Sequence, residues 1–359
     1  MDSYRIAVIG GDGVGPEVLT EGCKVMDAIA ELAGFALEYE RFPWGCAYYQ
    51  EHGEMMPQNG LDVLQDFDAI YLGAIGGFGV PDHISLGDLL LRIRRGFDQY
   101  VNLRPTRLMA EELCPLKGVS QDEIDLVVVR ENAEGEYAHA GGRLYQGTPN
   151  EVAVQTAIFT RRGTERIMRY AFDLCRHRDG KKRLTAATKS NANAFTMVFW
   201  EEVLQEVARD YPDIEVNWTH VDALVMNLIR KPQWYDVIVA SNLFGDILTD
   251  ETAALQGSLG LAAGANINPE RRFPSMFEPV HGSAPDIAGQ GIANPIGAVW
   301  AGAMMLEHLG EQKAAQVMMG AIEAVLREGQ VRTADLGGNA STAEMGDALA
   351  AKATELMKD

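Results

Sequence analysis

Residues 5–18 read RIAVIGGDGVGPEV, and this stretch carries the first evidence for the fold class. The apolar run Arg5–Ile9 is typical of a strand. The glycines that follow leave the backbone free to turn tightly, and Pro16 then opens a helical pattern that continues to Leu32. A strand, a glycine-rich turn and a helix in direct succession predict an α/β protein.

The same alternation continues along the chain. Apolar, β-branched runs predict further strands at Ala69–Leu72, Asp125–Val129, Leu184–Ala187, Glu215–Val221 and Val237–Ala240. Helical spacing predicts helices at Arg162–His177, Asn193–Tyr211 and Gly297–Leu309. Continuous apolar strands suit a sheet covered on both faces, so the sheet is predicted to be largely parallel. At roughly 150 residues per domain, a chain of 359 residues suggests two domains.

One stretch departs from this pattern. Tyr137–Ala157 contains glycine, proline and asparagine turn signals between alternating segments, which predicts a β-hairpin or a projecting arm. Such an arm could pair with the arm of a second chain and form a dimer, or it could be a surface flap. The sequence leaves both interpretations open.

Composition excludes several classes of function. The net charge is −20, from 51 acidic and 31 basic residues, and such a surface repels phosphate backbones and anionic lipids. Nucleic-acid and membrane-surface binding are therefore disfavoured. A basic and apolar leader is absent from the first residues, and no apolar run approaches about 18 residues, so a cytoplasmic location is expected. Free thiols are expected because no disulfide or zinc spacing relates the cysteines, which are Cys23, Cys46, Cys114 and Cys175.

Three arginines are candidates for binding a carboxylate. Arg94 lies in a short helical segment, Arg104 precedes a proline and should be extended, and Arg130 ends a predicted strand. The planar guanidinium group can donate two parallel hydrogen bonds to a carboxylate. Ordinary surface ion pairs are the alternative, and they are the preferred interpretation for Arg92 and Arg95.

Two aspartates are candidates for binding a metal ion. Asp246 and Asp250 stand four apart in SNLFGDILTD, so on a helix they would share a face. Carboxylate oxygens favour Mg²⁺ or Mn²⁺ over zinc, and Asp222, which follows another strand, could supply a third oxygen. Alternatively, the acidic residues complement the dipole of a helix N-terminus.

Three further segments carry weaker signals. Lys189 in TKSN is an isolated lysine, but beside a metal ion its pKa would fall and it could act as a base. The stretch 277–294, FEPVHGSAPDIAGQGIAN, is suited to binding a ligand through backbone groups, and its His281 alone is more often structural. The turn Gly10–Glu17 is an incomplete GxGxxG fingerprint and lacks the Lys-Ser/Thr pair of a P-loop, so a cofactor contact and a plain turn both remain open.

Six segments, in the same order, resemble the β-decarboxylating dehydrogenase family, which includes isopropylmalate, isocitrate and tartrate/D-malate dehydrogenases. They are IGGDGVGPEV, IRRGFDQYVNLRP, VVVRENAEGEY, TKSN, ASNLFGDILTD and FEPVHGSAPDIAGQGIANP. The similarity runs from Ile6 to about Gly338. Within the family, RRGFDQYVNLRP, AIFTRRGTERIMRYAFDL and ANINPERRFPSMFEPVHGSAPDI are most similar to members that act on tartrate or D-malate.

The resemblance implies an isopropylmalate/isocitrate dehydrogenase-like fold. A large cofactor-binding domain would comprise residues 1–100 and 252–359, and a small substrate and dimerisation domain would comprise 101–251, with a β-arm near 137–157. The implied activity is NAD-dependent oxidation, or oxidative decarboxylation, of a small 2-hydroxy dicarboxylate such as D-malate or tartrate, with Mn²⁺ or Mg²⁺ as cofactor. The implied assembly is a homodimer whose active sites are shared across the interface. Whether K⁺ assists is left open.

The resemblance also implies roles for individual residues. The substrate would be bound by Arg94, Arg104, Arg130, Leu90 and Asn191. The metal would be held by Asp246 and Asp250 together with Asp222 of the partner subunit. Besides Asp222, the catalytic residues would be Lys189 of the partner subunit as base and Tyr137 as the acid that protonates the enol. The cofactor would contact Ile9, Gly10, Gly11, Glu278, His281, Gly282, Ser283, Ala284, Asp286, Ile287 and Asn294. A carboxylate at Asp286 would repel a 2′-phosphate, which favours NAD over NADP.

Two departures from the family pattern concern the substrate. Ala133 stands where threonine is commoner, and Gly87–Asp88 stands where relatives have a large residue. The leucines around Gly87–Asp88 would also suit an isopropyl group, so 3-isopropylmalate dehydrogenase is the alternative activity. A non-catalytic regulatory subunit of the same fold is a further alternative, although such a protein would be expected to lose its metal or base residues. The last alternative function is a non-catalytic phosphate-binding module at the glycine turn.

Overall fold

The computed structural model describes residues 2–358, and the chain divides into two compact units. The first unit comprises Met1–Gln99, Pro105–Asp122 and Ala253–Asp359, and the second comprises Tyr100–Arg104 and Glu123–Thr252. The sequence interpretation placed all of 101–251 in the smaller domain, whereas residues 105–122 belong to the first unit. The difference arises because the chain leaves the second unit in the middle of a strand, after Arg104, and re-enters it only at Glu123.

Strands and helices alternate through most of the described chain. The strands are β1 (Asp2–Gly11), β2 (Phe35–Phe42), β3 (Ala69–Ala74), β4 (Val101–Arg107), β5 (Asp125–Glu131), β6 (Gly135–Leu144), β7 (Val152–Ile158), β8 (Arg183–Thr188), β9 (Glu215–His220), β10 (Val237–Ala240), β11 (Ala263–Ile267) and β12 (Ser275–Pro279). The α-helices are α1 (Gly15–Ala33), α2 (Cys46–His52), α3 (Gly60–Leu64), α4 (Asp82–Ser85), α5 (Leu91–Gly96), α6 (Arg161–His177), α7 (Thr196–Ala208), α8 (Val221–Arg230), α9 (Asn242–Leu255), α10 (Ile296–Leu309), α11 (Gln312–Glu328) and α12 (Thr342–Lys358). A single π-helical turn, Leu86–Leu90, joins α4 to α5.

The first unit is built on five strands in the order β2-β1-β3-β12-β11. The pairs β1–β2, β1–β3 and β3–β12 are parallel, and β11–β12 is antiparallel. Every residue of β3 is buried, as expected for an apolar strand covered on both faces. Because β1, β3 and β12 are parallel, their carboxyl ends meet at one edge, where the glycine turn, the loop after Ala74 and the loop after Pro279 emerge.

The second unit is built on parallel strands in the order β5-β10-β8-β9, with residues 101–104 of β4 beside β5. Helix α6 begins at its cap residue Thr160, whose side chain accepts the Gly163 N–H, and it buries one face on the sheet. The carboxyl ends of β5, β8, β9 and β10 again meet at one edge. That edge displays the residues that follow these strands.

The arm consists of β6 and β7, which form a separate two-stranded antiparallel sheet. Its far end is exposed, with apolar side chains at Leu144, Tyr145, Val152 and Val154 in contact with solvent in the single chain. The predicted hairpin is therefore confirmed. Whether it pairs with the arm of a second chain stays a prediction.

The α/β class and the largely parallel sheet are confirmed, as are the predicted strands and helices, with shifts of a few residues at their ends. One boundary differs in kind. Val221 was assigned to a strand, but it begins α8, because β9 ends at His220 where its pairing with β8 ends at Thr188. The four cysteines are free, as predicted, and Cys23, Cys46 and Cys175 are buried.

Candidate active site

Arg130 is a deeply buried member of a polar cluster at the carboxyl edge of the second unit. It is the penultimate residue of strand β5, directly before Glu131, and is only 2% exposed. Its Nε and Nη2 donate to Asn242 Oδ1 at 3.1 and 2.8 Å, and its Nη1 donates to Asp246 Oδ1 at 2.5 Å. Gly245 permits this approach, since a Cβ there would lie 2.5 Å from the Arg130 Cγ.

Tyr137 and Arg104 complete this cluster around Asp246. The Tyr137 hydroxyl donates to Asp246 Oδ2 at 2.8 Å, and its ring centroid lies 5.4 Å from the Arg130 guanidinium carbon. Arg104 donates to Thr249 Oγ1 at 2.7 Å, and its Nη1 lies 3.8 Å from Asp246 Oδ1. Two cations and a phenol thus surround one half-buried carboxylate, a setting that suits the binding of anionic groups beside a cation.

Asp250 lies one helical turn beyond Asp246 on α9. Burial raises the pKa of the Asp250 carboxyl, and the neighbouring Asp246 raises it further, while Arg104 and Arg130 act in the opposite direction. Both carboxylates face the same side of the helix, as the spacing predicts. A cation between them would relieve their repulsion, so the donor set suits a divalent metal with oxygen ligands.

Lys189 and Asp222 form a second group at the same edge of the sheet. Lys189 follows β8, Asp222 lies in the first turn of α8, and their side chains are 2.8 Å apart. The ammonium group of Lys189 holds the pKa of the Asp222 carboxyl below its usual range. Within residues 2–358, no three acidic, histidine or cysteine side chains are placed to hold one metal ion. Asp222 therefore does not join Asp246 and Asp250 within one chain.

The other predicted substrate residues are placed as follows. Asn191 is exposed in the turn after β8. In the first unit, Leu90 is half-buried and packs against the core. Arg94 is buried there, and its Nη2 donates at 2.7 Å to Glu278 Oε1, which also accepts a hydrogen bond from the side chain of Asn266 at 2.8 Å. Arg94 and Glu278, which were predicted to serve substrate and cofactor separately, therefore form one buried ion pair.

A cleft of about 360 Å³ lies in the first unit beside the loop that follows β12. Its lining includes five of the predicted cofactor residues, namely His281, Gly282, Ala284, Ile287 and Asn294. Burial lowers the pKa of His281, whose Nδ1 lies 3.0 Å from the Gly282 carbonyl oxygen and whose buried Nε2 has no hydrogen-bond partner within residues 2–358. A mainly apolar wall with few polar groups is typical of a site for a planar heterocycle.

The remaining predicted cofactor residues do not line this cleft. Ile9 is fully buried in β1, and Gly10 and Gly11 are the last two residues of the same strand. Ser283 is buried within the loop after β12, while Asp286 is exposed nearby. The sequence reasoning also missed part of the lining, namely Val14, Ser258, Leu259, Gly260, Ala334 and Asp335. Asp335 accepts hydrogen bonds from the side chains of Asn294 and Ser258 at 3.0 and 2.5 Å. Val14 belongs to the glycine turn Gly10–Glu17, where a cofactor contact was left open, whereas the other five residues come from segments distant in sequence that no motif marks.

Comparison with known proteins decides the family. Residues 5–349 match the family described as isocitrate/isopropylmalate dehydrogenase. The chain belongs to this family. It is 52% identical over 356 residues to the D-malate dehydrogenase [decarboxylating] of Escherichia coli, covering 97% of this chain and 98% of the relative. It is 51% identical over 350 residues to a probable tartrate dehydrogenase/decarboxylase of Agrobacterium vitis, covering 97% of each chain.

The solved structures agree with this assignment. The isocitrate dehydrogenase of Methylococcus capsulatus superposes with a TM-score of 0.88 at 36% identity, covering 98% of this chain and 99% of that chain. The predicted membership of the isocitrate/isopropylmalate dehydrogenase family and its fold are therefore confirmed, as is the similarity to tartrate and D-malate enzymes. Members of this family generally use NAD and a divalent metal and are typically dimeric. None of the helices within residues 2–358 has the length and apolar character needed to span a bilayer.

Glu131 supports the turn that leads to Tyr137 in this family member. It is buried, and its carboxyl oxygens accept the N–H groups of Ala133 and Glu134 at 2.8 and 3.0 Å. Burial raises the pKa of Glu131 to about 7, although these two hydrogen bonds act in the opposite direction. The folded protein therefore binds this proton more tightly than the unfolded chain does.

The pH dependence of stability follows from the sign of that shift. Protonation of the buried Glu131 carboxyl adds to the free energy of unfolding. This stabilisation is fully present below about pH 4.5, the usual glutamate pKa, and is lost as the pH rises through about 7. Between these limits the free energy of unfolding should fall more in the wild type than in Glu131→Gln, by up to about 3 kcal/mol. Urea unfolding at a series of pH values measures the difference. Parallel curves for the two proteins would contradict the burial of this group as an acid.

Proposed function

We propose that this protein catalyses the NAD-dependent and divalent-metal-dependent oxidation and decarboxylation of a 2-hydroxy dicarboxylate, with D-malate or tartrate as substrate. The observation that carries the proposal is the convergence of Arg104, Arg130 and Tyr137 on Asp246, with Asp250 one turn away. Identities near one half with D-malate and tartrate dehydrogenases, over almost the whole chain, support the same substrate class.

The donor atoms around Asp246 suit a divalent metal ion, and the cleft beside His281 suits part of NAD. Asp246 and Asp250 offer carboxylate oxygens that suit Mn²⁺ or Mg²⁺, and we propose Asp222 of the partner subunit as a further ligand. The cleft beside His281 suits the adenosine half of NAD. When bound, the metal would polarise the substrate hydroxyl and carboxylate as a Lewis acid, and NAD would accept the two electrons removed from C2.

Substrate binding and the two proton transfers are assigned to side chains of the protein. Arg104 and Arg130 hold the substrate carboxylates through charge-assisted hydrogen bonds, which fixes the carboxylate that departs as CO₂. We propose Arg94 as a third such contact. Lys189 accepts the proton of the C2 hydroxyl, and Tyr137 returns a proton to the carbon that CO₂ has left. Since Lys189 already pairs with Asp222, the two would enter the site of a second subunit together.

A substrate panel tests this function. We expect NAD reduction with Mn²⁺ to be fastest on D-malate or a tartrate, slower on 3-isopropylmalate and slowest on isocitrate, because the leucines around Gly87–Asp88 offer little polar contact to a third carboxylate. The alternative, 3-isopropylmalate dehydrogenase, is favoured by one observation, the leucine-rich π-helical turn Leu86–Leu90. A clear preference for 3-isopropylmalate would replace the proposed substrate, and no turnover on any of these acids would favour a non-catalytic subunit.

Cofactor preference is tested at Asp286, which is exposed beside the cleft. Replacing this carboxylate by a cation in Asp286→Lys removes the repulsion of a 2′-phosphate and a hydrogen-bond acceptor for the ribose. We expect the ratio of kcat/KM for NAD to that for NADP to fall by about tenfold or more, a change of about 1.4 kcal/mol. The matched control is Asp66→Lys, an exposed aspartate distant in sequence. An unchanged ratio in Asp286→Lys would remove Asp286 from the cofactor site.

A further inference from the structure

The backbone of Gly76 is held at its N–H and at its carbonyl oxygen by two buried side chains. Its N–H donates to Asp12 Oδ2 at 2.9 Å, and its carbonyl oxygen accepts the Ser283 hydroxyl proton at 2.8 Å. Asp12 is 6% and Ser283 is 7% exposed. Hydrogen bonds of this kind, shielded from water, are costly to leave unmade.

Asp12 joins three segments at the carboxyl edge of the first unit. Its Oδ1 accepts the Cys46 N–H at 2.7 Å, and its own N–H donates to the Ala74 carbonyl oxygen at 2.7 Å. The approach of Asp12 to the start of α2 requires glycine at position 45, since a Cβ there would lie 2.8 Å from Asp12 Oδ1. The carboxylate therefore fixes the glycine turn, α2 and the loop after β3 relative to one another.

Ser283 links the same loop to the cofactor cleft. Its carbonyl oxygen accepts the Val14 N–H at 2.9 Å, while its hydroxyl proton is committed to Gly76. Val14 and both neighbours of Ser283, Gly282 and Ala284, line the cleft, whereas Ser283 itself does not. The hydroxyl of Ser283 thus faces the loop after β3 and not the cleft.

The loop between Gly76 and α4 is conformationally demanding. Residues 76–79 have φ values of 117, 84, 55 and 82°, all in the left-handed region, and Phe78 occupies it at a steric cost. The chain then continues through α4 and the π-helical turn to α5, which carry Leu90 and Arg94. Glycine adopts positive φ readily, so Phe78 alone is strained and the three glycines leave the segment conformationally free. A segment of this kind keeps one conformation where its ends are fixed, and we therefore infer that the hold on Gly76 influences the position of the π-helical turn.

We propose that Asp12 and Ser283 are positioning residues that couple occupation of the dinucleotide cleft to the position of the substrate-contacting turn Leu86–Leu90. Neither residue touches the substrate. In this proposal, ligand contacts with Gly282 and Ala284 fix Ser283. Ser283 and Asp12 then fix the two peptide groups that flank the Gly76 Cα, and these fix the start of the segment leading to Leu90. The expected effect on KM for the hydroxy acid rests on the proposed function, whereas the expected effect on hydrogen exchange at residues 76–80 does not.

The structural part is tested by hydrogen–deuterium exchange on the whole protein, without substrate. Asp12→Asn retains one acceptor oxygen but not both, Ser283→Ala removes the hydroxyl, and Ser283→Thr retains it. We expect amides 76–80 to exchange about tenfold faster in Asp12→Asn and Ser283→Ala than in the wild type, and Ser283→Thr to restore protection. Asp27→Asn and Ser120→Ala are the controls, with no expected change. Unaltered exchange at 76–80 in both variants would overturn the inference.

The coupling is tested by adding NAD at saturation. In the wild type NAD should slow exchange at 86–90, and at equal occupancy this protection should be lost in Asp12→Asn and Ser283→Ala. In turnover assays both variants should raise KM for the hydroxy acid several-fold, and their effects should not add in the double variant. Retained NAD-dependent protection at 86–90 would refute the coupling. A wild type that binds NAD but turns over no hydroxy acid would refute the proposed function and leave the exchange result standing.

Discussion

Arg130→Lys is expected to lower kcat/KM for the hydroxy acid by about a hundredfold to a thousandfold, the range seen when one charge-stabilising donor is removed from an active site. Arg130 uses three nitrogens at once, two on Asn242 and one on Asp246. A lysine retains the charge but can neither span both partners nor present a planar fork to a carboxylate. The loss should fall on kcat as well as KM, because the carboxylate that Arg130 is proposed to hold is the one that departs.

Steady-state kinetics with D-malate and a tartrate measure this effect, and thermal unfolding shows whether the variant remains folded. Arg169→Lys is a matched control, since Arg169 pairs with Glu165 and Asp210 on the exposed side of α6. Exposed pairs of this kind contribute little, so the control should retain full activity. A folded Arg130→Lys protein with wild-type kcat/KM would remove Arg130 from the proposed substrate site.

Mixing two inactive variants is expected to restore activity. Lys189→Ala and Asp246→Asn should each be inactive as homodimers, because one lacks the proposed base and the other a proposed metal ligand. If Lys189 serves the site of the partner subunit, each mixed dimer contains one intact site, and a re-equilibrated equal mixture should reach about a quarter of wild-type activity. The expectation follows from the separation of the Lys189–Asp222 pair from Asp246 and Asp250 within one chain.

The converse mixture sharpens the result. The double variant Lys189→Ala/Asp246→Asn, mixed equally with wild type, places one defect in each site of a mixed dimer if the sites are shared. Activity should then be about a quarter of wild type, whereas sites confined to one chain would give about half. Native mass spectrometry verifies that dimers have exchanged. No recovery in the first mixture, together with half activity in the second, would establish that each chain carries its own complete site.

Much of the fold is visible in the sequence because single elements carry strong signals. The apolar runs of β3, β5 and β10 are fully buried or nearly so, and α6 shows its helical spacing directly. The antiparallel pairing of β11 with β12 and the placement of residues 105–122 were not foreseen. Both depend on how distant parts of the chain meet, and no local pattern encodes that.

In the candidate site, too, residues marked by local motifs could be predicted, whereas contacts between distant segments could not. Arg130, Asp246 and Tyr137 were chosen from motifs, and the structure brings them together. Asn242 and Thr249 were overlooked although they stand in the same segment as Asp246. A polar residue soon after the buried strand β10 was an available signal for Asn242, whereas no local pattern marks Thr249 in the interior of α9. The burial of Arg94 against Glu278 could not be inferred, since 184 residues separate the two along the chain.

The order of the two units along the chain has a consequence for biosynthesis. The second unit is almost wholly contained in one uninterrupted segment, Glu123–Thr252, whereas the first needs three pieces, the last of which begins at Ala253. On the ribosome, the second unit can therefore acquire its structure while the sheet of the first still lacks β11 and β12. Until those strands emerge, one side of β3 has no neighbour, and the nascent chain is most exposed to aggregation in that interval.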